Sequence, residues 1–277
     1  MDIQQDEIAN WLWDLFLRRD ALTEYEEPMT ALAKACRTQE EFQLIKHSME
    51  QLIALSEAQL VRQILSAVVF IRENILDERP LAIVATAWGE HPDSSQALLQ
   101  KIKVHFWRNR NIRFFNSVNA YEKKKHQQEF PRFLLIDEFC GTGNTIANRL
   151  DHIIKNAKQF GIEPEPHVCI LFGMERAKEF LLESGYDVHF CTTLKAGISG
   201  HFSGEERQRK LSAMKRLETG LSPEINGTQL PSLGYGKAEA LFFVKNENAP
   251  NSNFPILWWP LDVDGNDRIT ITQRAEL

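Results

Sequence analysis

Between residues 80 and 193, short apolar runs alternate with helical patterns. The runs are PLAIVATA at 80–87, IRFF at 112–115, FLLI at 133–136, HVCILF at 167–172 and DVHFCTT at 187–193. A strand that is apolar on both faces needs cover on both faces, and helices between successive strands provide it. The alternation therefore predicts an α/β fold with a parallel sheet, its helices near residues 94–102, 145–160 and 176–184. Ligands of such sheets sit at the carboxyl ends of the strands.

Upstream the pattern differs. Residues 1–77 place apolar residues three and four apart, which predicts helices, and Thr38 with Glu41 has the form of a capping box. Trp11, Trp13 and Phe16 suggest a helical stripe that is core or a contact surface for a partner. The change at Asp77-Glu78-Arg79-Pro80 suggests a helical domain over 1–77 and an α/β domain over 78–277. Toward the C-terminus, residues 205–219 read as an exposed amphipathic helix, and ALFFVKNENAPNSNFPILWW reads as a strand, a turn-rich loop and an aromatic strand end.

Composition narrows the class. A net charge of −6 argues against general nucleic-acid binding, which runs on excess Lys and Arg. Even so, Lys101, Lys103, Arg108, Arg110, Arg113 and Lys123 to Lys125 are opposed only by Glu122, so an anionic ligand nearby is one reading and a solvated face the other. No stretch approaches the roughly 18 apolar residues of a membrane span, and the acidic N-terminus lacks signal-peptide order. Cys36, Cys140, Cys169 and Cys191 show no CxxC spacing, as expected of reduced thiols in a cytoplasm.

The most informative stretch is FLLIDEFCGTGNT, residues 133–145. Its apolar run followed by Asp137-Glu138 has the form of a Walker B strand, but no Walker A accompanies it. The only Gly-Lys pair, Gly236-Lys237, is followed by Ala238 and has Pro231 at the first glycine position. A dinucleotide fingerprint fails too, because Ile146 holds the third glycine position and two carboxylates stand where pyrophosphate would bind. What remains is a ligand with a phosphate and free sugar hydroxyls. Small residues let backbone amides approach the phosphate at a helix N-terminus, and carboxylates accept from the hydroxyls.

This stretch resembles the signature of type I phosphoribosyltransferases. The resemblance implies that Asp137 and Glu138 hold the ribose of phosphoribosyl pyrophosphate, and that Cys140, Gly141, Thr142, Gly143, Asn144 and Thr145 hold its 5′-phosphate. It also implies a pyrophosphate loop after the first core strand, where AWGEHPDSS offers Trp88, Gly89, Ser94 and Ser95. That loop carries Glu90 and Asp93 and no cation, so Lys123, Lys124 and Lys125 are the candidates for cationic assistance. The implied cofactor is Mg²⁺ carried on the ligand, without a resident protein metal site.

Further segments, LKAGISGHF at 194–202, GYGKAEALFFV at 234–244 and NAPNSNFPILWW at 248–259, resemble phosphoribosyltransferase-like proteins of bacterial conflict systems, retrons among them. That resemblance implies association with anti-phage defence. It puts Lys195, Ala196, Gly197 and Asn251 on the base side of the ligand, with Asn248 and Asn253 near them. The expected partners are phosphoribosyl pyrophosphate or a nucleotide, a second copy of the chain, and a protein or nucleoprotein held by the helical domain. Turnover stays open among a pentosyl transferase, a nucleotide N-glycosidase, a non-catalytic sensor and an assembly module with a vestigial pocket.

Two weaker patterns compete for attention. His167-x-Cys169 and His189-x-Cys191 suggest zinc, but residues two apart on a strand are ~7 Å apart, which makes chelation awkward. LDVDGNDRIT echoes a calcium loop without its closing glutamate, Glu276 being too distant, and a turn through Asp264-Gly265 explains it better.

Overall fold

The computed structural model describes residues 3–89 and 93–275, so Glu90 of the expected pyrophosphate loop and Glu276 lie outside the described residues. The chain divides into two units, one formed by residues 1–57 with 195–277 and the other by 58–194. The change of pattern at residue 77 falls inside the second unit, and the C-terminal third of the chain is grouped with the N-terminal helices.

The first unit begins with α1 (Gln5–Arg18), α2 (Glu26–Ala35), α3 (Gln39–Gln51) and β1 (Ile53–Leu55). Thr38 caps α3 as the capping box predicts: its hydroxyl accepts from the Glu41 N–H at 3.2 Å. The Glu41 carboxylate returns one residue further out, accepting from the Arg37 N–H at 2.7 Å. Trp11 and Trp13 do not form a stripe. They are two residues apart on a helix, so Trp11 is buried edge-on to Phe42 while Trp13 is 68% exposed.

The second unit holds α4 (Glu57–Phe70), β2 (Leu81–Ala85), α5 (Ser94–Lys103), β3 (Ile112–Phe115), α6 (Val118–Tyr121) and α7 (Lys124–Glu129). It continues through β4 (Arg132–Cys140), α8 (Asn144–Gln159), β5 (Glu165–Met174), α9 (Glu175–Glu183) and β6 (Val188–Leu194). The five strands form one parallel sheet in the order β3-β2-β4-β5-β6. Chain order reverses between β2 and β4, because the chain leaves β2 toward β3 and returns on the other side. In parallel sheets, connections that leave such a reversal in opposite directions form a crevice where ligands bind, beyond the carboxyl ends of the two strands.

At the amino end of β4 the buried Arg132 holds the corner together. Its guanidinium pairs with Asp77 at 2.8 Å and Glu165 at 3.1 Å and donates to the Ile75 carbonyl, while Arg79 pairs with the same two acids. Asp77 and Arg79 thus fasten the lead-in to β2 onto β4 and β5. That explains why the change of pattern at Asp77 is a corner within a unit.

The first unit resumes with α10 (Gly204–Glu218), where Arg216 pairs with Glu40 and Glu41 of α3, followed by the short hairpin β7 (Glu224–Ile225) and β8 (Thr228–Gln229). β9 (Phe242–Val244) then pairs in parallel with β1. The expected aromatic strand end is instead a 3₁₀ turn at Pro255–Leu257, with Trp258 and Trp259 buried behind it. Asn253 takes the place of a strand neighbour. Its Oδ1 accepts from the Phe242 N–H at 2.9 Å and its Nδ2 donates to the Phe242 carbonyl at 2.7 Å and the Pro250 carbonyl at 3.1 Å. No helix among the described residues is long and apolar enough to cross a membrane.

Asn253 is fully buried, so Asn253→Ala removes in the interior the amide that pairs with the Phe242 N–H and carbonyl. The expected cost is about 3 kcal/mol of unfolding free energy, read as a lowered urea midpoint at unchanged m-value. A loss below about 1 kcal/mol would mean that the amide is dispensable to the fold.

Candidate functional site

The second unit brings Asp137 and the glycine loop to the crevice between β2 and β4. Pairing of β4 with β5 runs from Arg132 opposite Glu165 to Cys140 opposite Gly173. The strand therefore continues beyond the apolar run at 133–136 and through both acids. The two carboxylates are not equivalent in consequence. Asp137 Oδ2 accepts from the Thr86 hydroxyl at 2.6 Å and Oδ1 from the Glu138 N–H at 2.8 Å. Burial pushes the Asp137 carboxyl up to about 7, with the Asp93 charge adding to the rise and the bonds from Thr86, Glu138 and Phe139 opposing it. Glu138 is half-buried beside it.

The loop after β4 has the geometry the glycines predict. Cys140 ends the strand, and burial pushes its thiol up to about 12, so it adds no negative charge beside an anion. Gly143 caps α8 with φ +85°. An added Cβ there would lie 2.7 Å from Phe180 Cδ1 and 3.2 Å from the Ala177 carbonyl oxygen, so conformation and space both demand glycine. Thr142 Oγ1 accepts from the Asn144 N–H at 3.4 Å, and the first helical bond runs from the Ala147 N–H to the Gly143 carbonyl at 2.9 Å. The amides of Thr145 and Ile146 belong to the first turn, where helix geometry supplies no acceptor. Gly141 to Thr145 thus lead the chain into the N-terminus of α8, a backbone setting of the kind that suits an anion.

The segment after β2 is built differently from its expectation. Asp93 caps α5: its Oδ1 accepts from the Ser95 N–H at 2.8 Å and the Ser95 hydroxyl at 2.5 Å. Ser95 Oγ in turn accepts from the Ala87 N–H at 3.1 Å, so this buried hydroxyl is spent on the turn and not offered to a ligand. Ser94 is exposed, and the Gly89 carbonyl accepts from Gln96 Nε2 at 3.3 Å. The Trp88 ring carries the Arg149 guanidinium 4.4 Å from its centroid, and His152 lies edge-on at 4.7 Å. Arg149 Nε donates to the Thr86 carbonyl at 3.2 Å, and His152 Nε2 meets Glu122 Oε2 at 2.5 Å.

Thr86, Arg149 and His152 escaped the sequence reading. The available sign was on α8 itself: a cation and a histidine three apart share one side of a helix whose other positions, Ile146, Leu150 and Ile153, are buried.

The remaining candidates are placed as follows. Lys123, Lys124 and Lys125 are exposed at the start of α7, and Lys124 lies over the Phe160 ring. Among the described residues none of the three makes an ion pair with the acids. Lys195, Ala196, Gly197 and Asn251 belong to the first unit. There Glu239 clamps their turn, accepting from the Ile198 and Ser199 N–H groups and the Ser199 hydroxyl at 3.1, 2.7 and 2.6 Å. The Asn251 carbonyl accepts from Tyr235, and the Asn248 side chain accepts from the Ala275 N–H.

The zinc candidates go separate ways. His167 meets Glu165, and His189 stacks flat on Phe70 at 3.6 Å. Cys169 and Cys191 interact with one another, which holds the Cys169 thiol above and the Cys191 thiol below its usual range. Among the described residues no group of three or more His, Cys, Asp or Glu is arranged for a metal. In LDVDGNDRIT, Asp262 accepts from the Asp264 and Asn266 N–H groups, which makes the stretch a self-satisfied turn.

A family model described as PRTase-CE matches residues 36–271. No curated protein matches the chain. Among solved structures, an orotate phosphoribosyltransferase from Aeropyrum pernix is similar at 12% identity and a TM-score of 0.34, over 50% of this chain and 72% of its own. A Helicobacter pylori xanthine-guanine-hypoxanthine phosphoribosyltransferase is similar at 17% identity and a TM-score of 0.34, over 52% of this chain and 84% of its own. The family match takes in the whole sheet, the acid pair and the glycine loop, and the chain belongs to the phosphoribosyltransferase-like PRTase-CE family.

Proposed function

We propose that the second unit binds a ribose 5-phosphate group, carried on phosphoribosyl pyrophosphate with Mg²⁺. The observation behind this is one continuous segment that joins a half-buried carboxyl, Asp137, to a left-handed glycine opening a 16-residue helix. Amides of Gly141 to Thr145 take the 5′-phosphate, and Asp137 and Glu138 accept from the ribose hydroxyls. Magnesium carried on the ligand would neutralise charge on its pyrophosphate.

In the transferase form of this proposal, the bond from C1 to pyrophosphate breaks as an acceptor attacks C1. The carboxylates oppose the positive charge that develops on the sugar, and the loop holds the sugar in place. A sensor that binds the same ligand without turnover is the second reading. Ser95 favours it, because its hydroxyl is committed to Asp93 and Ala87 in the segment expected to receive pyrophosphate. The defence setting implied by the C-terminal resemblance makes cellular nucleotides the acceptors and ligands to test first.

Calorimetry with Mg·phosphoribosyl pyrophosphate is expected to show binding. Asp137→Asn with Glu138→Gln is expected to weaken it on the order of 100-fold, as the loss of two charge-assisted bonds predicts. Pyrophosphate release over a panel of bases marks a transferase, free base from a nucleotide pool marks a glycosidase, and binding alone marks a sensor. Unchanged binding in the double variant would sink the phosphoribosyl site.

Asp137 also sets a pH dependence. The fold holds its carboxyl near 7, above the roughly 3.9 of an unfolded aspartate, so the folded chain keeps the proton longer. Its contribution to stability is complete below about pH 4 and is lost as pH rises through about 7. Thermal melts between pH 5 and pH 8 are expected to fall more steeply for the wild type than for Asp137→Asn. Parallel curves would mean that the carboxyl titrates normally.

A further inference from the structure

Arg149 is a built cation at the crevice that the preceding reading leaves unused. Its guanidinium is fixed on two sides, by the Trp88 ring at 4.4 Å and by the Nε bond to the Thr86 carbonyl at 3.2 Å. His152 supports the same indole from α8 and is itself held by Glu122 at 2.5 Å. Among the described residues no carboxylate lies within ion-pair distance of Arg149, although Asp93 and Asp137 act on it at longer range. With Nε engaged, the four N–H donors on its terminal nitrogens have no acceptor among the described residues, and a guanidinium stays charged at any physiological pH.

The position is informative. Thr86 follows β2 and links the two charged groups: its hydroxyl donates to Asp137 while its carbonyl receives Arg149. Around the carboxyl ends of β2 and β4 there are thus three stations, the amide cradle after β4, the carboxyl in β4, and the guanidinium beside Thr86. A ligand with a single phosphate would occupy the cradle and the carboxyl and leave the fork without an anion. The exposed Lys123, Lys124 and Lys125 have no comparable support, since Lys124 lies over Phe160.

We propose that Arg149, stacked on Trp88, binds a second anionic group of the ligand, the diphosphate on C1, in place of the cation that residues 87–95 lack. This rests on the phosphoribosyl reading of the crevice and adds a requirement to it: the ligand carries phosphate at both ends of the ribose. Preorganisation is the reason an arginine serves here. The stack and the Thr86 bond leave the fork little freedom to lose when it meets a pair of phosphate oxygens.

The test is calorimetry on the full chain with three probes: ribose 5-phosphate, Mg·phosphoribosyl pyrophosphate and Mg·pyrophosphate. Arg149→Gln is expected to weaken phosphoribosyl pyrophosphate on the order of 30-fold or more while leaving ribose 5-phosphate within about twofold, the pattern of one lost charge-assisted contact. Arg149→Lys keeps the charge and loses the planar fork, so a smaller loss with the same selectivity is expected; it carries the comparison if Arg149→Gln does not fold. An equal loss for both sugar phosphates, or no loss for either, would overturn the assignment. If the wild type binds neither sugar phosphate, the phosphoribosyl reading itself fails. Mg·pyrophosphate then decides Arg149 separately: binding that Arg149→Gln abolishes sustains the anion site, and no binding to the wild type rejects it.

Discussion

The hydrogen bond from the Thr86 hydroxyl to Asp137 joins the two strands at which chain order reverses. A parallel sheet buries both faces, so an acid in its middle strand is costly unless donors meet it. Thr86 and the Glu138 N–H meet it, but they do not cancel the burial, and the carboxyl remains near neutrality instead of well below it. Had a lysine or arginine formed a tight pair here, Asp137 would be a structural anion with no capacity left for a ligand. At Asp137 the compensation is incomplete, and the carboxyl is held near neutrality.

β4 shows the contrast along its own length. Its amino end carries Arg132, which is buried and balanced by Asp77, Glu165 and the Ile75 carbonyl. Its carboxyl end carries Asp137 with neutral donors only, and Arg149 stands near it without closing an ion pair. One end of the strand is electrostatically closed and serves the fold; the other is open and is positioned at the crevice. The glycine loop follows the same division. Gly143 is fixed by α9 on one side, through the Ala177 carbonyl and Phe180, so that the amides of the opposite side stay in place.

The sheet was legible in the sequence because its central strands carry continuous apolar runs and each crossover is helical, a pattern with few alternative folds. The acids and glycines were legible because their chemistry is local. β4 was read too short, since acids, Phe139 and Cys140 do not look like a strand, yet pairing with β5 carries them in register to Gly173. Arg149 was hidden because a cation on a polar helix is ordinary, and only the fold brings it under Trp88. The two-unit division was hidden for a related reason. The core that holds Trp11, Phe42 and Met49 is completed by Phe254, Trp258 and Trp259, more than 200 residues later for the earliest of them. Hydrophobic periodicity reports that a segment is buried but not which distant segment buries it.

The C-terminal segments show how a recurrent-looking motif divides between structure and ligand chemistry. In APNSNFPILWW, Asn253 spends both ends of its amide on the backbone of Phe242 and Pro250, and Pro255 turns the chain so that the two tryptophans enter the core. Asn248 caps the chain at Ala275. Glu239 likewise spends its carboxylate on the turn that contains Gly197, where an added Cβ would meet Leu241 at 2.6 Å and Phe254 at 2.9 Å. These polar side chains bind backbone of the first unit and so shape it. Asn251 is tied to the same unit through its carbonyl, which accepts from the Tyr235 N–H.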